Sequence, residues 1–229
     1  MDAKQLYTEK VDAYEAFNAF FRSPQAQRAF FERYDGLRPG MRILDVGCGT
    51  GAATLALVEA LRGRGLDPGE FHAFDLTPAM LDRFRQKLAR GNFPPVQLRE
   101  ANVLEVNRQL PPDWAGYDLI VSVAMLEYVP KAKLGEALAA LRARLAPQGR
   151  LLLFITRKNW INRPLIGTWW QANLYTRDEL MRAFASAGLG QPRFRRFPAS
   201  HFWQNVWAHV LESEPAGRGH VFPPAPPKP

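Results

Sequence analysis

Residues 43–51 read Ile43-Leu44-Asp45-Val46-Gly47-Cys48-Gly49-Thr50-Gly51, and this stretch decides how the rest of the chain is read. Its first four residues have the make-up of a short buried strand. The glycines that follow allow positive φ and let a ligand approach the backbone closely. Thr54, Leu57, Val58 and Leu61 then recur at helical spacing, so the glycines sit where a strand turns into a helix. The first N–H groups of such a helix are free and its end is partly positive. That turn can accept a phosphate or a carboxylate. Gly47-x-Gly49-x-x-Ala52 also satisfies the dinucleotide-binding spacing, with Asp75 ending the next strand, where a ribose diol would be held. Two features weigh against a pyrophosphate. Asp45 stands two residues before Gly47, at the ligand end of the strand, where a carboxylate repels a pyrophosphate and can accept bonds from an ammonium group. Gly51 extends the pattern to G-x-G-x-G and opens the turn further.

Working outward, Phe71 to Asp75 reads as a second strand, and Thr77-Pro78 starts a helix with a cap and a proline of fixed φ. Val96 to Ala101 reads as a third strand. Asp118 to Met125 and Arg150 to Thr156 are near-continuous apolar runs, which suit parallel strands buried on both faces. Leu134, Leu138, Leu141 and Leu145 mark a helix between them. Thr176 to Glu179 fits a capping box, with Gly188 at the C′ position of the helix it opens. Strand and helix in alternation predict an α/β fold, a doubly wound and mostly parallel sheet. Before it, Val11, Tyr14, Phe17 and Phe21 form a helical stripe, and Ser23-Pro24 opens another helix. Residues 1–40 are therefore expected to be an N-terminal helical cap. The main domain is expected over 41–212. Residues 157–174 lack alternation and read as an insertion on the acceptor side of the last parallel strand. Residues 213–229 read as a proline-rich tail.

The length of 229 residues suits one large domain. The first twenty residues carry four acids and no basic stretch followed by an apolar run, which argues against a signal peptide. Cys48 is the one cysteine, so no internal disulfide exists and a reducing, cytoplasmic setting fits. The four histidines lack metal-ligand spacing, and no metal site is expected. The net charge is +8, and all of it falls in the second half. Between Arg142 and Arg196 there are eleven basic and two acidic side chains. A local basic field favours an anionic partner, be it a phosphorylated small molecule, an acidic lipid surface or nucleic acid.

The ordered set of motifs resembles the class I S-adenosylmethionine-dependent methyltransferases. It comprises DVGCGTG at 45–51, Phe74-Asp75, the segment Tyr117 to Ser122, the turn Leu145 to Leu151, and Asn173 to Leu180 with Ala187-Gly188-Leu189. The last of these resembles the small-molecule branch of that family. The resemblance spans roughly Met41 to Gly188 and implies a seven-stranded Rossmann-like methyltransferase fold with S-adenosylmethionine as cofactor. It places Asp45 near the methionine ammonium group. Gly47, Cys48, Gly49 and Gly51 become the loop beneath the cofactor, and Asp75 the acceptor of both ribose hydroxyls. Leu76 would flank the adenine. Asn102 and Val103 would lie at the adenine amino group, where the family commonly has Asp instead of Asn, and Ser122 at the methionine moiety. Glu127 and Tyr128 stand where some relatives carry a His pair. With Tyr175 and His201 they are the candidates for a base, and no single one is singled out.

The expected function is methyl transfer to a small-molecule acceptor with anionic or apolar character. The basic insertion with its tryptophans allows peripheral membrane contact. An RNA methyltransferase is the first alternative, although the fourth-strand segment lacks the Asn/Asp-Pro-Pro-Tyr/Phe tetrad, which counts against nucleic acid. An NAD(P)-dependent oxidoreductase and a non-catalytic cofactor-binding protein are the others.

Overall fold

The computed structural model describes residues 23–164 and 172–216. The stripe from Val11 to Phe21, Trp169 and Trp170 of the insertion, and most of the proline-rich tail lie outside the described residues.

Seven strands form one sheet in the order β3-β2-β1-β4-β5-β7-β6. They are β1 (Arg42–Val46), β2 (Glu70–Asp75), β3 (Val96–Glu100), β4 (Tyr117–Val123), β5 (Leu145–Thr156), β6 (Arg193–Arg195) and β7 (Ala208–Ser213). β1 to β5 are parallel, whereas β7 runs antiparallel to both β5 and β6. The chain goes outward from β1 to β3, then returns to β4 on the other side of β1. That reversal opens a crevice at the carboxyl ends of β1 and β4, where ligands bind in sheets of this kind.

Two apolar layers flank the sheet. Successive strand residues point to opposite faces, so Ile43 and Leu44 serve different layers. On one face, α1 (Ser23–Phe31) and α2 (Ala52–Gly63) pack Phe30, Phe31, Leu57 and Leu61 over Phe71, Leu119, Leu152 and Phe154. On the other, α5 (Leu134–Arg142) and α6 (Arg177–Ser186) pack Leu138, Leu141, Leu180 and Phe184 over Ile120, Leu151 and Leu153. Between these pairs run α3 (Pro78–Arg90) and the one-turn α4 (Val106–Gln109), and α7 (Gln204–Trp207) precedes β7. The capping box of α6 forms as expected: the Thr176 hydroxyl accepts from Glu179 N–H and the Glu179 carboxylate from Thr176 N–H.

The segment read as a tail starts inside the fold. β7 runs through Ser213, whose hydroxyl donates to the Gly190 carbonyl at 2.7 Å, and Ala216 N–H donates to the Gly188 carbonyl at 3.0 Å. The insertion leaves the carboxyl end of β5. Its described part, 157–164, is held against 205–207 by the buried Asn162, whose amide donates to the Trp207 carbonyl at 3.0 Å.

Candidate active site

The cleft lies over the carboxyl ends of β1, β2, β3 and β4. Its floor is the glycine turn, fastened to β2 because Gly47 and Cys48 N–H groups both donate to the Phe74 carbonyl. Gly47 takes φ 68°, and a Cβ there would lie 2.1 Å from Met125 Cγ. Only glycine allows the turn to lie this close to the wall that follows β4.

Asp75 ends β2 and faces the turn. One carboxylate oxygen accepts from Gly49 N–H and the other from Thr77 N–H, each at 2.9 Å. Burial raises its pKa, and these backbone donors oppose the shift. The Thr77 hydroxyl and the Leu76 N–H oppose it as well, and Asp75 lines the cleft, so the side chain both shapes the turn and faces the ligand space. Beyond it, Asn102 caps the short turn Val103–Glu105, its side-chain oxygen accepting from Leu104 N–H at 3.0 Å. Leu76, Met80, Val103 and Leu104 make the apolar walls around Asp75 and Asn102. Val123, Ala124, Met125, Tyr128 and Pro130 close the side toward β4. Among the described residues Ala124 is the one non-glycine with positive φ, at 52°. Such strain belongs with ligand-facing segments.

The structure therefore brings Gly47, Gly49, Asp75, Leu76, Asn102 and Val103 together around one cleft. Four other residues expected at the cofactor lie behind its walls. Asp45 is 1% exposed, and one of its oxygens accepts from both Thr54 N–H and Thr54 Oγ1, at 3.1 and 2.7 Å. It caps α2 from outside the helix, and burial pushes its pKa up to about 7 against those two bonds. Cys48 packs with Ala73, Leu81 and Phe84, and its thiol pKa is raised by burial. A Cβ on Gly51, at φ 86°, would meet the Phe84 ring at 2.2 Å. The Ser122 hydroxyl donates to the Val46 carbonyl at 3.1 Å and ties β4 to β1.

Of the four candidates for a base, Tyr128 lines the cleft. Glu127 turns away into the protein. It accepts from Thr156 Oγ1 at 2.6 Å, its other oxygen is buried without a partner, and burial pushes its pKa up to about 7. Tyr175 is buried under Lys131, whose ammonium lies 4.9 Å from its ring centre. His201 pairs with Ser200 and leans on Trp203, away from the cleft. Asn173 lies beside the cleft wall. Its side-chain amide donates to the Glu127 and Val129 carbonyls, at 2.9 Å each, and holds the backbone on both sides of Tyr128. The sequence reading missed Met80, Leu104, Ala124, Met125 and Pro130. They sit in loops and helix ends, where no periodicity marks them. Among the described residues no group of three or more His, Cys, Asp or Glu could hold a metal ion, and no helix is long and apolar enough to cross a membrane.

These residues fit an adenosyl group. A carboxylate lines the cleft for a diol, apolar walls flank the space beyond it, and the glycine turn permits close approach. Residues 44–151 match a family of methyltransferase domains. The chain is 33% identical over 119 residues to the highly reducing polyketide synthase cm3B of Cordyceps militaris, a match covering 50% of this chain and 4% of that protein. It is 31% identical over 118 residues to the carboxy-S-adenosyl-L-methionine synthase of Geobacter sp., covering 51% of this chain and 45% of that one. The chain thus spans less than half of either relative. Among solved structures, the magnesium protoporphyrin IX methyltransferase of Synechocystis PCC 6803 with bound S-adenosylmethionine superposes with a TM-score of 0.62 at 16% identity, covering 93% of this chain and 97% of that one.

Proposed function

We propose that the chain, whose residues 44–151 match a family of methyltransferase domains, is a class I S-adenosylmethionine-dependent methyltransferase that transfers a methyl group from that cofactor to a small-molecule acceptor with anionic or apolar character. The observation that carries this reading is Asp75, held by Gly49 and Thr77 N–H groups at the mouth of a glycine turn. When bound, S-adenosylmethionine supplies an electrophilic methyl group on a sulfonium. The residues of the chain bind and orient. Asp75 would hold the two ribose hydroxyls, Leu76, Met80 and Val103 would enclose the purine, and the Asn102 carboxamide oxygen would accept from its amino group. The turn at Gly47 and Gly49 lies beneath. Met125, Val129 and Pro130 exclude water from the side toward β4, and Tyr128 is the polar side chain there to orient an acceptor. Orientation of this kind supplies roughly 7–11 kcal/mol in favourable cases.

Calorimetry tests the reading. S-adenosylmethionine and S-adenosylhomocysteine are expected to bind, and NAD not comparably. Tight NAD binding without a response to either methyl-cofactor species would overturn it. A labelled methyl group incubated with a metabolite extract then identifies the acceptor.

A further inference from the structure

Among the described residues, the large apolar side chains left exposed are Trp160, Phe202 and Val206, at 84%, 67% and 38% of their surface. They come from two segments far apart in sequence that the fold stitches together. The Arg157 guanidinium donates to the Asn205 carbonyl at 3.1 Å, and the Asn159 amide to the Val206 carbonyl at 2.6 Å. Asn162 adds its bond to the Trp207 carbonyl. Single exposed apolar residues are normal on a protein surface, whereas convergent ones mark a contact.

The two segments that form the patch, 157–164 and 196–211, carry cations and no acidic side chain. Arg157 and Lys158 are exposed beside Trp160. Arg196 is exposed one residue before Phe197, whose N–H donates to Asn205 at 3.0 Å. A second copy docking through the same patch would bring these cations against one another. An anionic surface would not. Trp160 stands out from a turn with most of its surface exposed, and protruding aromatics beside cations suit the headgroup layer of a bilayer.

We propose that Trp160, Phe202 and Val206, with Lys158, Arg157 and Arg196, form a docking surface for an anionic lipid bilayer. The patch lies at the carboxyl end of β5, the end of the sheet that holds the cleft. It therefore sets a lipid-borne anionic molecule as the acceptor class, a consequence that rests on the methyltransferase reading, whereas the bilayer contact itself does not.

The test uses the full chain with vesicles of phosphatidylcholine, with and without phosphatidylserine, in a flotation assay. Two double variants accompany it, Trp160→Ser with Phe202→Ser and Lys158→Gln with Arg196→Gln. Binding to the phosphatidylserine vesicles is expected, at least tenfold weaker to phosphatidylcholine alone and at least tenfold weaker in each double variant. Far-ultraviolet spectra and calorimetric S-adenosylmethionine affinity are expected to stay unchanged in both variants, since none of the four residues lines the cleft. No binding to phosphatidylserine vesicles would overturn the proposal, as would binding that neither variant weakens. Tighter binding to polyglutamate than to vesicles, insensitive to the aromatic pair, would assign the patch to an acidic polypeptide and also overturn it. Vesicle binding as expected without S-adenosylmethionine binding would support the bilayer contact and count against the methyltransferase reading alone.

Discussion

Asp75 serves the fold and the cleft with the same two oxygens. A reading from sequence alone expects its removal to spare folding, because the side chain faces a ligand. The structure adds that Gly49 and Thr77 N–H groups depend on it. Asp75→Asn turns an amide NH2 toward one of those donors. It is expected to weaken S-adenosylmethionine binding tenfold or more, as the charge-assisted bonds are lost. It should also cost about 1–3 kcal/mol of stability for the unpaired backbone group. Calorimetry and urea unfolding of one variant read both effects, and an unchanged affinity would remove the ribose role. Asp45 teaches the opposite lesson. Its place at the ligand end of a strand is legible in the sequence, but the direction of its side chain is not, because Thr54 claims it from the first turn of α2. Asp45 and Glu127 are both pushed up to about 7 by burial. Between about pH 4 and pH 7 the folded chain keeps protons that the unfolded chain releases. The stability these two groups contribute is therefore complete below the unfolded carboxyl pKa and is lost as pH rises through about 7. The slope reaches at most ~1.4 kcal/mol per pH unit for each group. Asp45→Asn and Glu127→Gln should each flatten the fall in unfolding free energy from pH 5 to pH 8. A profile identical to that of the unmutated protein would show that these carboxyls ionise freely.

At the scale of elements, the glycine turn is where sequence and structure agree most closely, and the reason is steric. Gly51 has φ 86° and would place a Cβ 2.2 Å from the Phe84 ring, whereas Gly40 has φ 67° with nothing within 4 Å. Gly40→Ala is expected to cost about 1–2 kcal/mol, the backbone penalty alone. Gly51→Ala adds overpacking and should cost roughly 2–5 kcal/mol in all. Equal midpoint shifts for the two in urea would mean that Phe84 moves aside freely. The parallel strands were equally legible, because burial on both faces leaves unbroken apolar runs at Leu119 to Val121 and Leu151 to Ile155. β6 and β7 were not. β7 buries His209, Glu212 and Ser213 beside Val210 and Leu211, and a strand buried on both faces with polar residues among the apolar ones shows neither alternation nor an unbroken apolar run. The apolar walls of the cleft were hidden for a related reason. Met80, Met125 and Pro130 are brought to it by the ends of separate elements, and nothing local to each residue announces a shared ligand.

The buried polar residues of β7 make sense only across the whole molecule. Glu212 is fully buried and accepts from Tyr34 Oη at 2.6 Å, Arg195 Nε at 2.7 Å and Arg150 Nη1 at 3.2 Å. Arg195 also reaches Asp35 at 2.6 Å, and Arg150 reaches Glu214 at 3.1 Å. One carboxylate thus joins the segment after α1 to β5, β6 and β7, elements separated by most of the chain. Burying a charge is tolerable only when its partners are complete, and removing one member leaves the others uncompensated. Glu212→Ala is expected to lower the unfolding free energy by about 3–5 kcal/mol. Tyr34→Phe removes one donor and should cost about 1–2 kcal/mol, since the carboxylate keeps both guanidiniums. The two changes share a partner, so the double variant should cost clearly less than their sum. The network sits at the β6 edge of the sheet, whereas the cleft lies over β1 to β4. S-adenosylmethionine affinity per folded molecule should therefore survive in every variant of the cycle. Strict additivity in urea unfolding would show that Tyr34 and Glu212 act independently, and the edge of the sheet would then be held by packing of Phe30, Phe154 and Phe197 alone.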